Sequence, residues 1–156
     1  MTSYDTVTNL FRNKISEDKE FFCYYNLTEE EALEIINRRM EELLELALME
    51  LQSKKAKLQK VNFLDVDKEN KQFNFDLTDV EVDLISDLME IKLFDKQMLK
   101  VKALQKYLGD DIKIFSPNEE RKTILELIQY KHELFDQKLS DYNSINRENG
   151  EFLLPY

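Results

Sequence analysis

The chain has 156 residues, enough for one domain of ordinary size with a single hydrophobic core. Only two glycines and two prolines occur, which disfavours an all-β fold and glycine-rich phosphate loops and favours regular helices. A net charge of -10 repels polyanions, a single cysteine excludes an internal disulfide, and no apolar run reaches the roughly 20 residues of a membrane span. These features predict a soluble protein made in the cytoplasm.

The first helix is predicted to begin at Tyr4, with Ser3 as its cap, and to end near Ser16. The next segment, EFFCYYN at residues 20–26, is rich in aromatic side chains and is predicted to be coil. We expect Cys23 in this segment to be a small buried side chain, because nothing in the sequence marks it as an activated thiol.

The second helix begins with a capping box, in which Thr28 caps the helix and Glu31 can reach back to the N–H of Thr28. Apolar residues recur at helical spacing from Ala32 to Leu51, and further apolar residues lie off this stripe. The pattern predicts a central helix that is contacted on more than one side. The lysine cluster SKKAKLQK, residues 53–60, suits the negative end of the helix dipole.

Residues 61–77 are predicted to form an ordered polar connector, anchored by the aromatic side chains of Phe63, Phe73 and Phe75. Four acidic residues of this region have the spacing of calcium-loop positions one, three, five and twelve: Asp65, Asp67, Glu69 and Asp76. Asn70 replaces the glycine that such a loop requires, and Phe73 replaces a ligand. No metal site is therefore predicted.

A second capping box, Thr78 with Glu81, begins a third helix that is predicted to stop at Gly109. The apolar pattern leaves open a kink or break between Phe94 and Gln97. The following DIKIF alternates apolar and polar residues, which is compatible with a short strand at residues 111–115.

The segment FSPNEERKTIL contains a third capping box, with Ser116 as the cap, Pro117 in the first turn and Glu119 reaching back. The helix that it begins is predicted to continue to Tyr142. The predicted fold class is thus all-α, a compact bundle of about four to five helices.

Helical periodicity ends after Tyr142, so the chain divides into a helical domain, residues 1–142, and a C-terminal arm, residues 143–156. The arm is polar at first and ends in an apolar tip made by Phe152, Leu153, Leu154 and Tyr156. Two alternatives stay open: a flexible arm whose tip a partner holds, or a tip that folds back onto its own core.

No pattern in the sequence predicts an enzyme or a cofactor. His132 has no second histidine with which to build a metal site, and no phosphate loop, nucleophile elbow or zinc-ligand spacing occurs. Paired carboxylates are too frequent in so acidic a chain to indicate catalysis.

Two stretches, FNFDLTDVEVDLISDLM at residues 73–89 and FSPNEERKT at residues 115–123, resemble the helical head-to-tail connector proteins of tailed phages that infect Gram-positive bacteria. The wider frame is also similar, from FFCYYN and LTEEEALEIINRRMEELLELA to the YNSINRENG end with Tyr142, Asn146, Arg147 and Gly150. The final EFLLPY is the part least similar to this family.

The resemblance implies a structural virion protein that docks as a ring of twelve copies onto the portal protein. Such a ring extends the channel for the passing DNA and presents a surface to the next neck or tail protein. A ring of this kind is heterologous, with one face of each copy meeting the other face of the next.

Two sets of residues are candidates for this function. The apolar tip of Phe152, Leu153, Leu154 and Tyr156 is the candidate portal-docking site, and it could add backbone to a sheet edge. The acidic residues Glu29, Glu30, Asp79 and Asp83 are candidates for the channel lumen or a boundary between subunits. The alternatives are a more distal neck or tail-completion protein, and a soluble regulator that binds a protein through the apolar stripe of residues 32–51.

Overall fold

The computed structural model describes the backbone of residues 1–16, 19–108 and 117–153, and the side chains of residues 1–16, 21–100 and 122–153. The helices are α1 (Tyr4–Lys14), α2 (Lys19–Phe22), α3 (Glu29–Lys54), α4 (Asp79–Leu108) and α5 (Pro117–Ser144). Two short strands, β1 (Val66–Asp67) and β2 (Gln72–Phe73), lie between α3 and α4. The prediction of a compact all-α bundle is confirmed. The predicted stop at Gly109, strand at residues 111–115 and cap at Ser116 lie outside the described residues.

Local capping signals begin α1, α3 and α4 as predicted. In α3 the N–H of Glu31 donates to Thr28 Oγ1 at 3.3 Å, and the N–H of Thr28 donates to the Glu31 carboxylate at 2.9 Å. The same reciprocal pair begins α4, where the distances between Thr78 and Glu81 are 3.3 and 2.8 Å. Ser3 accepts the N–H of Asp5 at 3.2 Å and caps α1. Each cap satisfies backbone donors that have no partner within the helix.

The central helix of the bundle is α4, which packs against α1, α3 and α5. The prediction that α3 is central is wrong, because its off-stripe residues Leu33, Leu46 and Met49 are 50, 40 and 61% exposed. Helix α4 buries apolar side chains on more than one side, and six of its residues are at most 2% exposed: Leu84, Ile85, Leu88, Met89, Ile91 and Leu93. Helix α4 also continues without interruption through Phe94–Gln97, where a break was considered.

The connector between α3 and α4 is ordered, as predicted. Strands β1 and β2 pair in antiparallel register, with Val66 opposite Phe73. The N-terminus adds to the other side of β2, because the N–H of Phe73 donates to the Thr2 carbonyl at 2.8 Å. Phe63 and Phe73 are fully buried and Phe75 is half-buried, so the connector is fixed to the core by its aromatic side chains.

Residues 20–26 differ from the predicted coil. Phe21 belongs to the single-turn helix α2 and is buried, with its ring 5.8 Å from that of Phe11 and the Arg39 guanidinium 4.4 Å from its centroid. Cys23 follows this turn and is exposed, so the prediction of a buried cysteine is wrong. The adjacent Phe21 supplies the buried side chain of this segment instead.

Candidate functional site at the C-terminal turn

The first part of the predicted arm forms a compact turn against the helical domain. Helix α5 ends at Ser144, and an isolated antiparallel bridge joins Ile145 to Phe152. The N–H of Asn146 donates to the Glu151 carbonyl at 2.7 Å, and the N–H of Leu153 donates to the Ser144 carbonyl at 2.7 Å. We call residues 145–153 the C-terminal turn. These backbone hydrogen bonds order residues 145–153 and, of the two alternatives, disfavour a flexible arm for this part of the chain.

Gly150 allows the chain to reverse within this turn. Its φ of 70° lies in the left-handed region, and its N–H donates to the Asn146 carbonyl at 2.8 Å. A side chain at this position is strained by the backbone conformation even where space is free. The resemblance to the connector family included this glycine, and the structure gives it a conformational reason.

Arg147 anchors the turn to the start of α4. Its guanidinium forms a two-pronged ion pair with Glu81, donating through Nε to Oε1 and through a terminal nitrogen to Oε2 at 3.1 Å. The same terminal nitrogen donates to the Asp76 carbonyl. Glu81 is fully buried, whereas the Arg147 side chain is 22% exposed. A buried carboxylate is costly unless it is paired and hydrogen-bonded, so Arg147 fills an electrostatic requirement of the core.

Tyr142 and Gln59 complete this anchor. The Tyr142 hydroxyl donates to Glu81 Oε1 at 2.7 Å, and the Gln59 amide donates to the Tyr142 carbonyl at 2.8 Å. The N–H of Arg147 donates to Gln59 Oε1 at 3.3 Å. We call Gln59, Glu81, Tyr142 and Arg147 the anchor cluster. It joins the segment that follows α3 to α4, α5 and the C-terminal turn.

The protonation states within the anchor cluster follow from burial and from the hydrogen bonds to Glu81. Burial raises the pKa of the Tyr142 hydroxyl well above its ordinary value, and the Glu81 carboxylate that accepts its hydrogen bond raises it further. The hydrogen bond to Glu81 also raises the pKa of Arg147. The tyrosine therefore stays a neutral donor and the arginine stays charged across the physiological pH range.

The tip of the turn projects an aromatic side chain. Phe152 is 76% exposed, and Leu153 beside it is half-buried. In the bridge between Ile145 and Phe152, the hydrogen bonds are made by the two neighbours of Phe152, Glu151 and Leu153. The backbone N–H and carbonyl of Phe152 itself therefore point away from Ile145. Leu154 and Tyr156, the other two predicted tip residues, lie outside the described residues.

The predicted acidic candidates do not form one group. Glu29 and Glu30 are exposed in the first turn of α3, and Asp79 is exposed at the start of α4. Asp83 is paired with Lys14 of α1 at 2.8 Å and also with Lys138 of α5. Asp83 is thus an ion-pair residue between helices, unlike Glu29, Glu30 and Asp79.

Asp87 extends the ion-pair network around Asp83. It pairs with the same two lysines, at 2.7 Å in the case of Lys138, so the network joins α1, α4 and α5. Burial alone would raise the pKa of Asp83, but hydrogen bonds and charges from Lys138 and Lys14 outweigh burial and lower it. This network stabilises the packing of three helices.

Asp67, one of the acidic residues with calcium-loop spacing, stabilises the hairpin turn. Asp67 accepts the backbone N–H groups of Glu69 and Asn70 at 3.0 and 3.1 Å, and it also accepts the Asn70 amide at 2.7 Å. These hydrogen bonds, with the Asn70 side chain first, lower the pKa of Asp67. Across the described ranges, no group of three or more His, Cys, Asp or Glu side chains is placed to hold a metal ion.

Sequence reasoning missed the anchor cluster. The Thr78–Glu81 box was visible because its members are three residues apart, but Arg147 and Gln59 lie far from Glu81 along the chain. Only the presence of Tyr142 and Arg147 among the residues that resemble the connector family pointed to this region.

Comparison of the chain with protein-family models, with curated proteins and with solved structures found no match in any of the three. Over the residues that the structure describes, no helix is long and apolar enough to cross a membrane.

Proposed function

We propose that this chain is a head-to-tail connector of a tailed phage, which docks in a ring onto the portal and extends the DNA channel toward the tail. The proposal starts from the resemblance of residues 73–89 and 115–123 to that family. The protein would lie in the neck of the virion. Its partners would be the portal, further copies of itself and the next neck or tail protein.

The observation that carries the docking proposal is the exposure of Phe152 on an anchored turn. An exposed phenylalanine supplies a large apolar surface for a partner pocket. Because the anchor cluster already orders the turn, binding of a partner would cost less conformational entropy than binding of a free tail. The outward backbone groups of Phe152 would also allow a portal strand to pair with the turn.

The exposed acids are compatible with a ring around DNA. Glu29, Glu30 and Asp79 could face the lumen, where negative charge lets DNA slide without being held, or a boundary between subunits. We do not assign Asp83 to the lumen or the boundary, because its carboxylate is paired with Lys14 and Lys138.

The regulator alternative is weakened by the packing of α3. The apolar stripe that a regulator would offer to its partner is largely buried within the protein's own core: Ile36, Met40, Leu43, Leu44, Ala47, Leu48 and Leu51. A more distal neck protein would share the anchored turn, and mass spectrometry of purified virions together with portal-binding assays would distinguish these roles.

The test is capture of this chain by the portal protein of the same phage genome. Phe152→Ser should greatly weaken capture, and the matched variant Met49→Ser, which changes a 61% exposed side chain on α3, should not. A truncation that removes residues 152–156 keeps Arg147 and Gly150, so it tests the tip without removing the anchor. Equal capture of all variants would contradict tip docking, and no capture of the folded wild type would contradict the connector proposal.

A further inference from the structure

Exposed apolar side chains lie among exposed glutamates where α3 begins. Tyr25, Leu27 and Leu33 are 92, 41 and 50% exposed. Residues 25–37 contain four glutamates and no basic residue. Three of these acids are exposed and form no salt bridge with any described residue: Glu29, Glu30 and Glu34. We call this surface the acidic end of α3.

A surface of opposite charge lies where α3 ends. Residues 51–64 contain four lysines and no acidic residue. Lys54 forms a salt bridge with Glu50. Lys57 and Lys60 are exposed and make no salt bridge within the described part of the chain. Beside them, Leu58 and Leu64 are 62 and 49% exposed. We call this surface the basic end of α3.

The two ends cannot meet within one molecule. Helix α3 has 26 residues, and at about 1.5 Å per residue it holds its ends roughly 39 Å apart. Both ends combine exposed apolar side chains with charges that pair with no described residue, a composition that suits an interface with an apolar centre and a charged rim. Opposite charges at the two ends favour contact between different copies and disfavour contact between like ends.

We propose that the acidic end of one copy binds the basic end of the next. Tyr25 and Leu33 pack near Leu58 across this contact, with Glu29, Glu30 and Glu34 facing Lys57 and Lys60. Because the two surfaces differ, the contact is heterologous, and its repetition gives a ring when the rotation closes. The inference rests on the proposed function in that it identifies the subunit contact of the connector ring.

The direct test is a mixed disulfide between two single-cysteine proteins. In a Cys23→Ser background, one protein carries Tyr25→Cys and the other, distinguished by a mass tag, carries Leu58→Cys. After mild oxidation at low salt, the mixed disulfide should exceed both homodisulfides severalfold. It should fall severalfold in about 0.5 M NaCl, where charges are screened within a few ångströms. The control pairs Leu58→Cys with Val80→Cys, a position that is 51% exposed and lies outside both ends.

Charge reversal provides a second test of the same contact. Glu30→Lys with Glu34→Lys in the Tyr25→Cys protein should reduce the mixed disulfide to the level of the Val80 control. Lys57→Glu with Lys60→Glu in the Leu58→Cys protein should then restore it. Three results would each overturn the proposed contact. They are no enrichment of the mixed disulfide over the control, a dominant Tyr25→Cys homodisulfide, and cross-linking of Tyr25→Cys to a portal instead of to this chain.

The same cross-linking with portal present separates this inference from the proposed function. Portal binding without the mixed disulfide would overturn the subunit contact and leave the connector proposal standing. The mixed disulfide without portal binding would support the subunit contact and contradict the connector proposal.

Discussion

Replacing Arg147 with methionine should destabilise the whole domain, although the residue lies in a segment that its sequence marks as a polar tail. The substitution keeps much of the apolar stem but removes the guanidinium that pairs with Glu81. Glu81 is 0% exposed, so water cannot replace the lost partner without opening the core. Two donors remain to this carboxylate, the Tyr142 hydroxyl and the N–H of Thr78.

The magnitude follows from this partial compensation. Removing one member of a buried ion pair costs about 3–5 kcal/mol, and hydrogen bonds to a charged group contribute about 1.5–3 kcal/mol each. Because two donors to Glu81 remain, we expect Arg147→Met to lower the free energy of unfolding by about 2–4 kcal/mol. For a domain of this size, that corresponds to a fall in Tm of roughly 4–16 °C.

Urea unfolding followed by circular dichroism would measure the effect, in a cycle with Glu81→Gln. The double variant should be less destabilised than the sum of the two single variants, because each single change leaves the other group without its partner. Lys68→Met is the control, since it breaks an ion pair whose side chains are 73 and 58% exposed and should leave the unfolding midpoint unchanged. The reasoning is refuted if Arg147→Met is as stable as this control.

The ion-pair network around Asp83 gives a pH prediction, because the pKa of Asp83 is lower in the folded state than in the unfolded state. The ionised Asp83 therefore stabilises the fold above its unfolded pKa, and this contribution is lost as pH falls through the folded pKa. Lys138→Met should therefore flatten the loss of stability between about pH 5 and pH 2 in urea titrations, and an unchanged profile would contradict this. Phe135→Ala, at a fully buried position of α5, should cost about 3–5 kcal/mol in the same assay, whereas Phe152→Ala should change stability by less than about 0.5 kcal/mol. The exposed Cys23 thiol should react fully with a disulfide reagent in the absence of denaturant, and protection of the thiol would contradict its position.

Helix starts were predictable from the sequence because their signals are local. Thr28 with Glu31 and Thr78 with Glu81 each lie three residues apart, and both pairs form the expected reciprocal hydrogen bonds. The central position of α4 was not predictable in the same way. Periodicity identified an apolar stripe in each helix, but it could not show that the off-stripe residues of α3 face solvent while those of α4 contact neighbouring helices.

The C-terminal turn shows a different limit of sequence reasoning. Its polar composition is equally compatible with a solvated tail and with a segment that satisfies buried polar groups elsewhere. Glu81 and Gln59 decide between these alternatives, but they precede Arg147 by 66 and 88 positions. The sequence marked Phe152 as part of an apolar tip without deciding whether the tip is exposed, and the anchor before it depends on tertiary contacts that leave no local pattern.

Co-expression with the portal protein of the same phage genome, followed by negative-stain imaging and native mass spectrometry, tests the connector proposal most directly. We expect portal rings that carry an added layer of this chain, and we expect the layer to be lost with Phe152→Ser. Bare portal rings beside free, folded copies of this chain would contradict the proposal.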